Sequence, residues 1–234
     1  MASNKTKFIL TDIEGTTTSV SFVYEILFPY FRNNIQQLKE LQQLPEVHEA
    51  FEQTIELAKE LEGIQLIETD EIINKLLEWS LADKKITPLK TLQGILWKNG
   101  YVSGEIKGHV YSDVKENLEK WKEKGIELGV FSSGSVAAQK LIFGFSELGD
   151  LTPNFSFYFD TKTGGKREVE TYTKISYDIN IPAANILFLS DIIEELEAAK
   201  LAGYQTIQLV RDGTTANWDK TVENFEEITE YLAN

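Results

Sequence analysis

Apolar and polar positions follow two rhythms along this chain. Near the start, the short apolar run Phe8, Ile9 and Leu10 leads to Asp12, then to Gly15 and the polar Thr16, Thr17, Thr18 and Ser19. That pattern predicts a buried strand with a loop at its C-terminal end. From about residue 21 to 105 the spacing is helical. Ile35, Leu38, Leu41 and Leu44 fall three apart, and Ile72, Ile73, Leu76, Leu77 and Leu81 continue the stripe with charged residues between them. Pro45, Gly63 and Pro88 punctuate the stretch, which predicts a bundle of about four amphipathic helices.

Beyond residue 105 strand and helix alternate. A helix is expected over 113–124, closed by Gly125, then a strand over 126–131 and a helix over 135–143 with Ser135 as N-cap. A strand over 155–159, a helix over 167–177 and a strictly apolar strand over 185–189 follow. A helix over 193–201 stops at Gly203, a strand covers 205–210, and the last helix runs from about 222 to 232. Such alternation predicts a parallel sheet with helices on both faces. The expected fold is α/β: a Rossmann-like parallel-sheet core of residues 1–20 and 106–234, with an α-helical cap, 21–105, inserted after the first strand.

Composition narrows the chemistry. Among 234 residues there is no Cys, which excludes disulfides, thiolate nucleophiles and Cys-based metal sites. Basic residues number 23 and acidic ones 37, a net charge of −14, which argues against a nucleic-acid partner. No stretch approaches the roughly 18 apolar residues of a membrane span. Residues 1–7 are polar and the apolar run behind them is too short for a signal-peptide core, so the expectation is a soluble cytoplasmic protein.

Ligands of open α/β sheets bind at the C-terminal ends of the strands, and chemistry-bearing residues stand at four places where strand ends are expected. Asp12 and Glu14 form a carboxylate pair suited to a hard cation and a phosphate, and Asp is an accepted phosphoryl nucleophile. Ser132, Ser133 and Gly134 open a helix, where hydroxyls and backbone N–H groups hold anions. Lys166 follows a Gly pair and competes with Lys162 for the role of a point charge. Asp191, followed by Glu194 and Glu195, is a second carboxylate pole. Each has a plainer reading: an acidic turn, a helix cap, a solvated lysine, acids in a helix's first turn. His48 and His109, isolated in the sequence, are expected to be bystanders.

In order and type, these four positions resemble the motifs of the haloacid dehalogenase superfamily of phosphatases. Asp12 and Glu14 match the first motif, Ser132 the second, Lys166 the third and Asp191 the fourth, with Glu195 at the second-acid position. The helical insert resembles that superfamily's cap. Glu14 departs from the Asp most such phosphatases carry. The run from Asp12 through Val23 to Leu27-Phe28-Pro29-Tyr30 is similar to the enolase-phosphatase E1 family of methionine salvage. So are Gly94-Ile95-Leu96-Trp97, Ser132-Ser133-Gly134-Ser135-Val136 and Phe159-Asp160-Thr161, and the likeness covers essentially the whole chain.

The resemblance implies enolisation of 2,3-diketo-5-methylthiopentyl-1-phosphate, then removal of its phosphate, by a monomer using one Mg²⁺. It implies Asp12, Glu14 and Asp191 as metal ligands and Asp12, Glu14 and Lys166 as catalytic residues. Ser132, Ser133 and Lys166 are the implied substrate contacts. Trp97 and Tyr101 are candidates to line a pocket for the methylthio tail, with core packing as the alternative. Two other readings stay open on the same scaffold: a sugar-phosphate phosphatase or phosphomutase, and a non-catalytic binding module.

Overall fold

The computed structural model describes residues 5–233, so the first four residues of the expected core lie outside it. The chain forms two compact units, residues 5–22 with 107–233, and Val23–Ile106.

The first unit is built on a six-stranded sheet of order β3-β2-β1-β4-β5-β6. Its strands are β1 (Phe8–Thr11), β2 (Glu127–Phe131), β3 (Phe157–Phe159), β4 (Ile186–Ser190), β5 (Gln205–Leu209) and β6 (Thr221–Val222), and every pairing is parallel. β1 lies in the middle, with Leu10 opposite Gly129 on one side and Phe188 on the other. Four consecutive buried residues in β1 and five in β4 explain the unbroken apolar runs of the sequence, because a parallel strand is covered on both faces.

Side chains alternate between faces. Phe8, Leu10, Phe131, Ile186 and Phe188 share one core cluster with Tyr172 and Ile175 of helix Val169–Asp178 and Leu196 of helix Ile193–Leu201. Each such fully buried side chain contributes about 1.5–3 kcal/mol. Helix Val114–Glu123 packs beside β2, and its Trp121 stacks on Phe225 of the last helix, Phe225–Tyr231, with centroids 5.0 Å apart. That last helix starts three residues later than the hydrophobic pattern suggests. Thr221 and Val222 pair with β5 as a two-residue strand, and Asn224 then caps the helix by accepting the Glu227 N–H at 3.0 Å.

The second unit is all helical. Residues 20–41, straddling its start, break into short turns, including a π-helical segment Val23–Leu27 and helix Phe28–Asn34. Three long helices follow, Pro45–Glu62, Thr69–Leu81 and Thr87–Ser103. Pro45 and Pro88 sit in first turns, where a missing N–H costs nothing, and Gly63 and Gly104 end helices at φ +70 and +80. The core is Phe31, Leu38, Phe51, Leu76, Trp79 and Leu92 with their neighbours. Glu62 is a three-way clamp. It accepts from Lys75 Nζ at 2.8 Å, and from Trp79 Nε1 and Lys84 Nζ, each at 2.7 Å. Trp97 donates to the Leu27 carbonyl at 2.8 Å and stacks on Phe28, while Tyr101 is buried. Both rings therefore take part in this unit's own packing.

Candidate active site

Three neighbouring strands, β2, β1 and β4, end side by side, and each delivers a polar residue at its C-terminal edge. β1 hands on to Asp12, whose N–H still bonds the Leu189 carbonyl of β4 at 2.9 Å. The chain then turns tightly: the N–H groups of Thr16, Thr17 and Thr18 all reach the Ile13 carbonyl, and Gly15 N–H reaches Thr18 O at 2.7 Å. This turn points Asp12 and Glu14 into the sheet edge instead of into solvent. Asp12, Ser132, Lys166 and Glu195 are all buried.

Lys166 is the hub. Its Nζ lies 2.6 Å from Asp12 Oδ1 and 2.7 Å from Glu195 Oε2. It comes from the loop between β3 and helix Val169–Asp178, and Tyr172 of that helix fixes the loop by donating its hydroxyl to the Lys166 carbonyl at 2.6 Å. Lys162, the competing lysine, is exposed. Glu195 also accepts from Ser190 Oγ at 2.9 Å. Ser132 donates to Glu14 Oε2 at 3.2 Å and accepts the Gly134 N–H at 3.0 Å. Ser133 is exposed at the mouth of the following turn. In helix Val136–Gly144, Ser135 Oγ accepts the Ala138 N–H and Asp160 accepts the Val136 N–H. Those two donors are taken, as is the Gly134 N–H by Ser132 Oγ, which leaves the exposed Ser133 side chain to meet an incoming anion.

Asp191 follows β4. A Cβ built on Gly15 would lie 2.6 Å from Asp191 Cγ, and Gly15 has φ +75. Only glycine satisfies both the left-handed backbone and this close approach.

Four carboxylates, Asp12, Glu14, Asp191 and Glu195, thus share one lysine, an excess of three negative charges when all are ionised. Burial, and next the charge of Asp12, push Asp191 and Glu195 each up to about 7. The same two causes raise Glu14, against Lys166. Burial alone would depress Lys166, but Asp12 and Glu195 hold it above its ordinary range, so it stays charged. A buried site this negative needs protons or a cation.

Among the described residues, no three His, Cys, Asp or Glu side chains form a ready cage for a metal ion. Mg²⁺ asks for less, usually one or two carboxylates with water and phosphate oxygens completing its shell. Asp191 Oδ1 is buried without a hydrogen-bond partner, beside the Gly15 backbone. An orphaned carboxylate oxygen and surplus negative charge are what a hard cation fits.

Sequence reasoning brought Asp12, Glu14, Ser132, Lys166, Asp191 and Glu195 to the table, and the fold brings them to one edge of the sheet. It overlooked Tyr172 and Ser190, which hold Lys166 and Glu195. Their only signal was nearness in sequence: Tyr172 lies six residues after Lys166, and Ser190 five before Glu195.

A family model described as haloacid dehalogenase-like hydrolase matches residues 6–203. A protein named Enolase-phosphatase E1 from Picosynechococcus sp. is 50% identical, over 95% of this chain and 98% of its own length. One of the same name from Hahella chejuensis is 51% identical, over 89% of this chain and 88% of its own. The crystal structure of the UTR4 protein from Saccharomyces cerevisiae aligns with a TM-score of 0.80 at 34% identity, covering 95% of this chain and 99% of that one. An L-2-haloacid dehalogenase structure shares the fold, with a TM-score of 0.60 at 14% identity, covering 98% of this chain and 100% of that one.

Proposed function

We infer, for a chain that belongs to the haloacid dehalogenase-like hydrolases and within them to the enolase-phosphatase E1 family, a two-step reaction on one small phosphorylated diketone. The substrate is 2,3-diketo-5-methylthiopentyl-1-phosphate of methionine salvage. Enolisation moves a proton from the carbon beside a carbonyl to the carbonyl oxygen. Hydrolysis then yields the acireductone 1,2-dihydroxy-3-keto-5-methylthiopentene and inorganic phosphate.

The observation that carries this reading is the junction of Asp12, Lys166 and Glu195 beside the Glu14–Ser132 pair. In our reading Asp12 is the nucleophile. One of its oxygens bonds to phosphorus as the bridging oxygen leaves with the P–O electron pair. Water then attacks phosphorus and restores the carboxylate. Glu14, raised by burial and so able to carry a proton, protonates the leaving oxygen and takes a proton from that water. Lys166 orients Asp12 and meets the negative charge that grows on the transferring group. Ser132 and Ser133 donate to substrate oxygens. Asp12, Asp191 and an oxygen of Glu14 would hold one Mg²⁺, whose charge neutralises phosphoryl oxygens and polarises the diketone. No helix among the described residues is long and apolar enough to cross a membrane. The net charge of −14 speaks against a nucleic-acid partner, and we assign a monomer acting in the cytoplasm.

The test follows acireductone absorbance and phosphate release separately on the diketone, with Mg²⁺ and with EDTA, beside a panel of sugar phosphates. Mg²⁺-dependent appearance of both products from the diketone is expected. Preferential turnover of sugar phosphates would overturn the substrate assignment, and equal turnover in EDTA the metal assignment.

A further inference from the structure

The loop that carries the two leading carboxylates ends at Ser19, and its far end is held by a residue that sequence reasoning set aside. The backbone N–H of Ser19 donates to His109 Nδ1 at 3.1 Å. The Thr18 hydroxyl donates to the His109 carbonyl at 2.9 Å, and the N–H of Tyr111 donates to the Thr17 carbonyl at 3.0 Å. Residues 109–111 thus bind three consecutive loop residues. A backbone N–H can only donate, so Nδ1 must present its lone pair, and the ring is assigned the tautomer with hydrogen on Nε2.

The support is itself fixed. Gly108 N–H donates to the Phe145 carbonyl at 2.8 Å, and Glu147 N–H returns a bond to the Gly108 carbonyl at 2.9 Å. Gly108 packs so closely that a Cβ there would lie 2.9 Å from the backbone carbon of Ile142. The His109 ring lies between Phe22, with centroids 6.3 Å apart, and Tyr111, at 5.0 Å and edge-on. The Tyr111 hydroxyl in turn bonds Asp212. Support therefore runs from the end of helix Val136–Gly144 and the segment after β5, through His109, to Thr18 and Ser19.

From there it reaches the site. Thr18 O accepts the Gly15 N–H at 2.7 Å, and Gly15 lies between Glu14 and the Asp191 carboxylate. Slack at Thr18 and Ser19 becomes displacement of Glu14, and a misplaced catalytic group is costly even when the shift is below 1 Å.

We propose that His109 is a positioning residue for the reaction: through Nδ1 and its carbonyl it fixes the loop 14–19 and with it the placing of Glu14 against Ser132 and of Gly15 against Asp191. This rests on the reading of Asp12 and Glu14 given above.

Substitution separates the hydrogen bond from the ring. Asn places its amide oxygen near where Nδ1 stands and can accept from Ser19. Leu accepts nothing, and Gln carries its oxygen one bond too far. All three lose the packing between Phe22 and Tyr111, so a purely structural role would affect them alike. The measurement is kcat and KM for phosphate release from the diketone at saturating Mg²⁺. For His109→Leu and His109→Gln, kcat should fall about tenfold, with KM changed less than about threefold. His109→Asn should keep kcat within about threefold of the parent. Parent-level kcat in Leu or Gln, or a loss in Asn as deep as in Leu, overturns the proposal. Should His109→Leu fail to fold, the Asn–Gln comparison decides alone. Asp12→Asn run alongside isolates the underlying reading: if it turns over, the site assignment fails; if it is dead while His109→Leu matches the parent, only the proposal for His109 fails.

Discussion

Lys166 Nζ lies 2.6 Å from Asp12 Oδ1, with the two side chains only 8% and 4% exposed. In bulk water such a pair is worth little, but here solvent cannot replace either partner. Lys166→Met should lower phosphate release by about 100-fold, the cost typical of removing one preorganised charge from a transition state. It should also lower unfolding free energy by about 3 kcal/mol, at the low end for a broken buried pair. Glu195, already up at about 7, can take a proton and soften the loss. Steady-state kinetics and urea titration check both figures.

Gly15 makes a different kind of demand. Its φ of +75 and the Asp191 carboxylate behind it leave no room for a methyl group. Gly15→Ala should therefore push Asp191 aside and cost about 1–2 kcal/mol in backbone strain. The Mg²⁺ concentration giving half-maximal activity should rise by about tenfold or more if Asp191 is a metal ligand as proposed, since it would then be misplaced. A Mg²⁺ titration of activity reads this, and an unchanged midpoint would remove Asp191 from the metal site.

Much of this was legible before folding. The apolar run of β4 and the Asp that follows it announced a strand end with chemistry on it, because a strand covered on both faces has no other pattern available. Residue type alone left Lys162 and Lys166 level in one polar loop; the likeness to the family's third motif singled out Lys166, and it is Lys166 that approaches Asp12 to 2.6 Å. Ser132 and Ser133 are likewise adjacent in sequence, yet one is buried on Glu14 and the other faces solvent. The β6 strand escaped because two residues carry no period, although Asn224 ahead of Glu227 was a readable cap. His109 escaped for a related reason: its partner is a backbone N–H 90 residues away, which leaves no trace in side-chain spacing.

Asp191 should behave unusually when metal is removed. An ionised carboxylate whose folded-state pKa is raised opposes folding. The penalty is absent below its ordinary value of 3.8 and grows as pH rises through the interval to about 7. At pH 8 and without Mg²⁺, Asp191→Asn should therefore melt no lower than the parent, and several degrees higher if the Asn side chain packs without strain. Addition of Mg²⁺ should raise the parent's melting temperature and leave the variant's almost unmoved. Thermal scans with EDTA and with Mg²⁺ separate these outcomes. A large Mg²⁺ shift in the variant would contradict the assignment.

The helical unit carries its own acid sensitivity. Hydrogen bonds from Lys75, Lys84 and Trp79 hold Glu62 down to about 2 from an ordinary 4.5. A depressed carboxylate stabilises the folded state fully above its unfolded value, and that contribution fades as pH falls from about 4.5 to about 2. Glu62→Gln should thus be less stable than the parent at pH 6, and the gap should narrow at pH 3. Urea unfolding followed by tryptophan fluorescence at both values measures it, with Trp79 itself inside the clamp.

β1 is synthesised first, yet its two neighbours in the sheet are β2 and β4, and β4 ends only at Ser190. A nascent chain therefore holds this buried strand unpaired until β2 follows at Glu127–Phe131, and open on its other side until β4 is made. Long-range pairing of this kind is slow and leaves sticky edges uncovered. Quality control during translation, more than any property of the finished enzyme, is where substitutions in Phe8, Ile9 or Leu10 should first be felt, as loss of yield in the cell rather than loss of rate in the cuvette.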